Sequence, residues 1–213
     1  LDPSENHNSE HIEVDEAEEI LNYLNRFEYA SMDHVLFKLQ WTTSMRMSGL
    51  HSLDVGDFDA DERTLSVAHR PDEGTRLKNK LESEGPVEIS LDVADSVDHY
   101  IARERNDKRD DKGREPLFTT RQGRASIAKI RGATYLATQP CIRIACPHGE
   151  NANKCEYRKR DHASKCPSSR SPHRIRTGSI QWQLDQGIAP EDVSDRVDAS
   201  VDTIRRHYDV PDD

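Results

Sequence analysis

The hydrophobic positions of this chain fall into blocks with two different periods. Ala17, Ile20, Leu21 and Leu24 recur at helical spacing behind Asp15, and Glu18 three residues on completes a capping-box pattern. Val35, Leu36, Leu39 and Met47 mark the buried face of a second helix, predicted from Ser31 to about Leu50. The period then shifts to two. Leu65 and Val67 alternate in one short strand, and Val87 and Ile89 in another. Between them, GTRLKNKLESEG is a charged hairpin tip. Helical spacing returns over Leu91–Arg105 and Ile127–Ala137, on either side of a solvated connection, NDKRDDKGREP. Pro140–Ser171 is loop-like. Ser171 as N-cap with Pro172 in the first turn then opens a helix over His173–Asp185, followed by helices over Pro190–Arg196 and Val201–His207. The polar stretch at residues 1–12 is expected to be a frayed, disordered tail. The pattern predicts an α+β fold, mostly helical, with a small antiparallel sheet near its first third.

Composition pulls the other way until it is divided along the chain. Of 213 residues, 33% are hydrophobic and 33% charged, which raises disorder as a rival that only the periodic blocks reject. No apolar run approaches the ~20 residues of a membrane span, no signal peptide is visible, and four Cys do not make a disulfide scaffold. The net charge is -10, which repels nucleic acid if spread evenly. The acids include 23 Asp, against only 9 Lys. That imbalance also suits a halophilic cytoplasm, where salt screens a carboxylate-rich surface. The charge is in fact uneven. Arg121–Arg176 holds 13 Lys and Arg but 3 acids, a window of +10, and the remainder is -20. Such a basic segment is the footprint of a phosphate-binding face, or a solvated loop with scattered Arg. The first residue is Leu1, so a fragment or trimmed product is expected.

Four features carry candidate chemistry. SPHRIR places His173 and Arg176 on one face of a helix, near an N-terminus rich in free N–H groups. Arg46 follows an apolar helix in TTSMRMSGL. Lys78 and Lys80 stand at the hairpin tip. Tyr208 closes RRHYD, after a helix start at Ser200. Taken singly, Arg46 could be a helix C-terminal cation, Tyr208 a core residue and His173 a surface histidine.

In this order the residues resemble the catalytic domain of the tyrosine recombinases, the phage integrase and Xer-like family, and most nearly its haloarchaeal integrase-like type. The resemblance spans residues 13–210. It implies a mostly helical recombinase fold and site-specific recombination of double-stranded DNA. Tyr208 would form a 3′-phosphotyrosine and release a 5′-hydroxyl, storing the bond energy for rejoining. Arg46 and Arg176 would grip the non-bridging oxygens and stabilise transition-state charge. Lys78, with Lys80 as its alternate, would protonate the leaving oxygen. His173 would hydrogen-bond the phosphate or take the tyrosine proton. Phenols ionise near ~10 in water, so a tyrosine nucleophile needs such help. No catalytic cofactor or metal is implied. Three positions depart from the family. Ser44 stands at a usual Gly, Gly49 at a usual acid that helps fix the first Arg, and Ala199 at a usual His or Trp. Losing the donor at position 199 implies a rate cost of about 10²–10³. The resemblance implies a DNA-clamping helical domain ahead of the catalytic domain and a C-terminal helix that joins protomers, and the expectation from the sequence as given is that it carries neither.

The basic window offers Arg121, Arg124, Lys129, Arg131, Arg158, Lys159, Arg160, Lys165 and Arg174 as DNA contacts. Within it, residues 140–171 form a Cys-rich basic insertion. Cys141, Cys146, Cys155 and Cys166 suit a tetrahedral structural zinc, with His148 and His162 as spare ligands. Reduced free thiols or opportunistic disulfides, which a reducing cytoplasm disfavours, are the alternatives. Three functions follow. The first is a cytoplasmic recombinase able to oligomerise on DNA. The second is a recombinase-derived DNA-binding protein that no longer cuts, and the third a zinc-dependent regulatory module.

Overall fold

A computed structural model describes residues 11–208. Helix α1 (Val14–Phe27) starts one residue before the predicted cap, with Glu13 at the N-cap making no side-chain bond. The expectation of a tail through residue 12 fails at its last position, and residues 1–10 lie outside the described residues. Ile12 is fully buried, and its N–H donates to the Arg174 carbonyl at 3.2 Å. A Cβ on Gly178 would come within 2.3 Å of the Ile12 carbonyl oxygen, so this approach requires glycine.

The predicted helix from Ser31 to Leu50 is two helices, α2 (Met32–Thr43) and α3 (Met47–Ser52). The hydroxyls of Thr42 and Thr43 donate back to the carbonyls of Lys38 and Leu39, at 2.8 and 2.7 Å. Ser44 then turns left-handed at φ 52°, and the helix ends. Strands β1 (Phe58–Asp59), β2 (Thr64–Val67) and β3 (Gly85–Glu88) form an antiparallel sheet in that order, with Leu65 opposite both Phe58 and Val87. Helix α4 (Leu91–His99) passes into a π-helical turn at Tyr100–Glu104. A second antiparallel pair, β4 (Thr119–Thr120) and β5 (Gly123–Arg124), precedes α5 (Ile127–Ala137). Then come α6 (Pro172–Asp185), α7 (Pro190–Val197) and α8 (Val201–His207). The fold is mostly helical with small antiparallel sheets, as expected. No helix among the described residues is long and apolar enough to cross a membrane.

Three apolar clusters hold these elements. The largest joins α2, α3, the sheet, α4 and α5 around Leu36, Leu39, Leu50, Leu53 and Tyr100. A second packs α1 on α2 and α6, with Trp41 stacked on Trp182. The third, around Ile180, Leu184, Val193, Val197 and Ile204, fastens α7 and α8 to α6. Fully burying one such aliphatic side chain is worth ~1.5–3 kcal/mol. The third cluster therefore anchors two short helices that could not persist alone.

The connection at 106–116 is not simply solvated. Asp110 and Arg114 bind back into the fold through Asp54, which accepts from Arg114 at 2.7 Å and from Arg124 at 2.5 Å. Arg124 also donates to Asp110 and to the carbonyls of His51 and Leu53. Burial works to raise Asp110, but Arg124 and the N–H groups of Arg114 and Lys112 outweigh it and hold the carboxyl below its ordinary value.

One buried group gives the fold a pH dependence. His34 on α2 is fully buried, and its Nδ1 accepts the Ala30 N–H at 3.0 Å. Burial, helped by Lys38 and opposed by Asp92, lowers its pKa from 6.5 to about 4. Between those values the unfolded chain holds a proton that the fold does not. Stability therefore falls as pH drops through that window, by up to about 3 kcal/mol. Urea unfolding should show this fall in the wild type and a shallower one in His34→Gln, which cannot titrate there. Equal slopes would remove His34 as the source.

Candidate active site

The break between α2 and α3 creates the site. Arg46 is extended at the N-cap of α3 (φ -64°, ψ 152°), which turns its side chain out of helical register. The break is pinned from below. The Ser44 hydroxyl meets Ser179 and accepts from Gln183 at 2.9 Å, in a fully buried polar cluster with the Trp41 carbonyl. A left-handed residue other than glycine costs ~1–2 kcal/mol, so these bonds are what keep Ser44 there. The departure from Gly at this position is thus accommodated by its side chain. Gly49 has a steric reason as well, because a Cβ would meet Met45 Cγ at 2.8 Å.

Arg176 comes from the first turns of α6. Ser171 caps that helix by accepting the Arg174 N–H at 3.3 Å, and Pro172 occupies its first turn, as the sequence predicts. The Arg176 guanidinium donates to the Ser44 carbonyl from one nitrogen and to the Val197 carbonyl from the other. One arginine thereby ties together the α2–α3 break and the end of α7. Burial, and then the neighbouring Arg46 charge, lower its pKa to about 10, against the opposing pull of Tyr208 and Asp198. It remains a cation at neutral pH, with its guanidinium bonds going to neutral carbonyls.

Tyr208 is delivered by α8. Ser200 caps this helix by accepting the Thr203 N–H at 3.2 Å. At the other end the Tyr208 N–H donates to the Ile204 carbonyl at 3.0 Å. The tyrosine packs against the third apolar cluster, so its core reading is partly right. It also lies close enough to Arg176 to act on its charge. Ala199 packs on the same cluster and presents no donor. His173 is exposed in the first turn of α6. Lys78 and Lys80 are exposed on the segment before β3. That segment is held at the site by its own residues, since Asn79 and Ser83 donate to the Asp198 carboxylate at 3.1 and 2.6 Å.

Asp198 is the residue that sequence reasoning missed. It also accepts from Arg46, at both its carboxylate and its carbonyl. The available signal was a short acid between two helix patterns, since Asp tolerates the left-handed turn (φ 52°) that separates α7 from α8. The sequence-predicted residues thus divide. Arg46, Arg176 and Tyr208 are brought together, the lysine segment is tethered beside them, and His173 stands on the same helix as Arg176.

The proposed DNA contacts divide as well. Arg124 must be withdrawn, because its guanidinium is consumed by Asp54 and Asp110. Arg160 packs its stem over Gly132, donates to the Lys129 carbonyl at 3.3 Å and faces Asp33 at 3.7 Å. Lys129 is half-buried, and burial and Arg160 lower its pKa. Arg158 reaches Gln139 at 3.4 Å, and Arg174 is half-buried. Arg121, Arg131, Lys159 and Lys165 are exposed.

The four cysteines are free and line one cavity of about 160 Å³. Burial raises the Cys166 thiol, and the neighbouring Cys141 and Cys146 add to the effect. Of the spare ligands, His148 lines the same cavity and meets Ser168 at 2.9 Å, and His162 faces Glu156. Among the described residues no group of three or more His, Cys, Asp or Glu stands in metal-ligand geometry, so the cluster is not a preassembled metal centre.

Solved structures share this fold. The XerA recombinase matches 95% of the chain at 15% identity, with a TM-score of 0.61. The Tn1549 transposon integrase, in complex with a circular intermediate DNA, matches 95% at 14% identity and 0.66. The XerH site-specific recombinase, bound to a palindromic difH substrate in a post-cleavage complex, matches 92% at 15% identity and 0.60. The chain covers 59%, 62% and 48% of those three chains, less than two thirds of each. Comparison with curated proteins finds no match. The phage integrase family matches residues 10–208. With nearly the whole chain matched and the arginines and tyrosine convergent, this protein belongs to the phage integrase family, the tyrosine recombinases.

Proposed function

We propose that the chain is the catalytic part of a site-specific recombinase that cleaves and rejoins double-stranded DNA, acting as an oligomer on DNA in the cytoplasm. One observation carries the reading: Arg46 and Arg176 donate to the adjoining carbonyls of Asp198 and Val197, with Tyr208 close enough to act on the Arg176 charge. A phosphodiester is the ligand that relieves such a pair, since each guanidinium can donate to a non-bridging oxygen. Tyr208 Oη then attacks phosphorus. The bond from phosphorus to the 5′-oxygen breaks, and Lys78 supplies the proton that the leaving oxygen needs. Lys80 is the alternate donor. His173 hydrogen-bonds the phosphate or accepts the tyrosine proton. Rejoining reverses the steps with a 5′-hydroxyl as nucleophile, so bond energy is conserved. The excess of Asp over Lys supports a high-salt setting and a haloarchaeal type of enzyme.

A second reading, a DNA-binding protein that no longer cuts, is favoured by Ala199 and by the engagement of Arg46 with Asp198. Covalent trapping separates the two. Incubated at high salt with nicked suicide duplexes carrying a randomised centre, the wild type should form an adduct that survives denaturation. Tyr208→Phe should form none, and Arg176→Ala should lose about 10²–10³ in rate. If the wild type binds the duplexes but traps no more than Tyr208→Phe, the binding reading replaces the enzyme.

For the Cys-rich segment we propose a structural zinc held by Cys141, Cys146, Cys155 and Cys166. The shared cavity supports this, as does the poverty of apolar residues in a segment that cannot bury a core of its own. Rotation of the thiols toward one another would be needed, because their present placement is not a ligand array. Metal analysis of purified protein should find about one zinc per chain, lost in Cys155→Ser with lower thermal stability and weaker DNA affinity. Zinc below a tenth of an equivalent, with Cys155→Ser as stable as wild type, would leave four free thiols.

A further inference from the structure

The anion that faces Arg46 in the free protein is Asp198. Its carboxylate, with its own backbone carbonyl, accepts from one Arg46 nitrogen. The same carboxylate takes the Asn79 amide at 3.1 Å and the Ser83 hydroxyl at 2.6 Å. Asn79 and Ser83 bracket the 3₁₀ turn Lys80–Ser83, and Lys78 immediately precedes Asn79. Asp198 is thus a joint between three parts of the chain: the α2–α3 break, the lysine segment and the link between α7 and α8. The joint is not sealed. The side chains of Arg46 and Asp198 keep 24% and 28% of their exposure, and both border a cleft of about 880 Å³. Asp198 is also held in the left-handed region at φ 52°, a conformation that relies on its partners to persist.

We propose that Asp198 is an internal occupant of the phosphate seat, which holds Arg46 and pins the lysine segment until a DNA phosphate displaces it. The proposal rests on the recombinase reading of the site. A carboxylate and a phosphodiester both present two anionic acceptor oxygens to a guanidinium, so they compete for the same donors. They cannot share Arg46 closely, because like charges in contact repel. Arg176 favours the exchange toward DNA, since it is a neighbouring cation whose two terminal nitrogens donate to the neutral carbonyls of Ser44 and Val197. When Asp198 leaves, Asn79 and Ser83 lose their shared acceptor, and the segment is free to carry Lys78 toward the leaving oxygen. Phosphate arrival and delivery of the acid become one event, and the free protein keeps the two apart.

Asp198→Asn removes the charge, keeps the size and suits the same backbone region. Amide hydrogen exchange over residues 79–84 of the free protein should speed up in this variant. In a Tyr208→Phe background, adding Asp198→Asn should tighten binding to duplex DNA about tenfold at fixed salt, as expected when one repelled charge is removed. DNA should also speed exchange at 79–84 when Asp198 is intact. Ser83→Ala separates the pin from the charge, and should speed exchange while leaving DNA affinity within about twofold. Unchanged exchange in both free variants overturns the pin. Weaker DNA binding by Asp198→Asn, or slower exchange at 79–84 on DNA addition, overturns displacement. If none of the proteins binds DNA, the recombinase reading fails and displacement fails with it, while exchange in the free proteins still decides whether Asp198 pins the segment.

Discussion

Two arginines that repel each other are held side by side, and much of this structure serves to hold them. Arg176 cannot relax away from Arg46, because its two terminal nitrogens are committed to the Ser44 and Val197 carbonyls. Those carbonyls belong to segments fixed by different cores. Ser44 follows α2, which is embedded in the two larger clusters, and Val197 ends α7 in the third. Burial and the neighbouring charge lower the Arg176 pKa to about 10, yet leave it charged in any ordinary buffer. The site therefore keeps a positive potential in place before any ligand arrives, which is what electrostatic preorganisation requires.

The same constraint explains the serine at the helix break. A continuous helix from Ser31 to Leu50 would satisfy the backbone but aim Arg46 along the helix face. Ending α2 at Thr43 costs hydrogen bonds, and Ser44 recovers some of them. Its carbonyl serves Arg176 and its hydroxyl joins Ser179 and Gln183 of α6. Local strain is thus exchanged for cross-links between α2 and α6, the pair of helices that bring in the two arginines. Glycine would adopt the turn freely but would leave Gln183 and Ser179 without this buried partner.

How far the sequence revealed this depends on how local each determinant is. The start of α6 was legible because Ser171 and Pro172 act within one turn. The strands at Leu65 and Val87 were legible because alternation reports a half-buried face. The split between α2 and α3 was not, since helical periodicity runs across it, and the local bonds of Thr42 and Thr43 are completed by bonds from α6, about 135 residues away. The 106–116 connection looked solvated for the same reason. Its charges are matched by Asp54 and Arg124, which are distant in sequence. Arg46, Arg176 and Tyr208 were found through their order along the chain. Asp198 was not, because nothing in Val197-Asp198-Ala199 shows that its carboxylate reaches both Arg46 and the lysine segment.

The charge pattern changes meaning once the arginines are placed. A basic window inside an acidic chain suggests that its cations all face DNA. Arg124 instead sits between Asp54 and Asp110, with side-chain exposure of 10%. Arg114 and Arg70 neutralise Asp54 and Asp57 in the same way. Such partly buried pairs are screened far less than surface charges, so salt that weakens phosphate contacts leaves them largely intact. Arginine suits both duties, because its planar fork matches a carboxylate as well as a phosphate. Counting Arg over a window therefore overstates a DNA face wherever nearby acids are folded against it. Of the proposed DNA contacts, those left exposed, Arg121, Arg131, Lys159 and Lys165, are on the β4–β5 turn, on α5 and in the stretch of short turns at 156–165, whose 160–165 part packs against that helix. A phosphate-binding face built there is carried partly by the Cys-rich segment. Under the proposed function, the stability of that segment would bear directly on how firmly DNA is held.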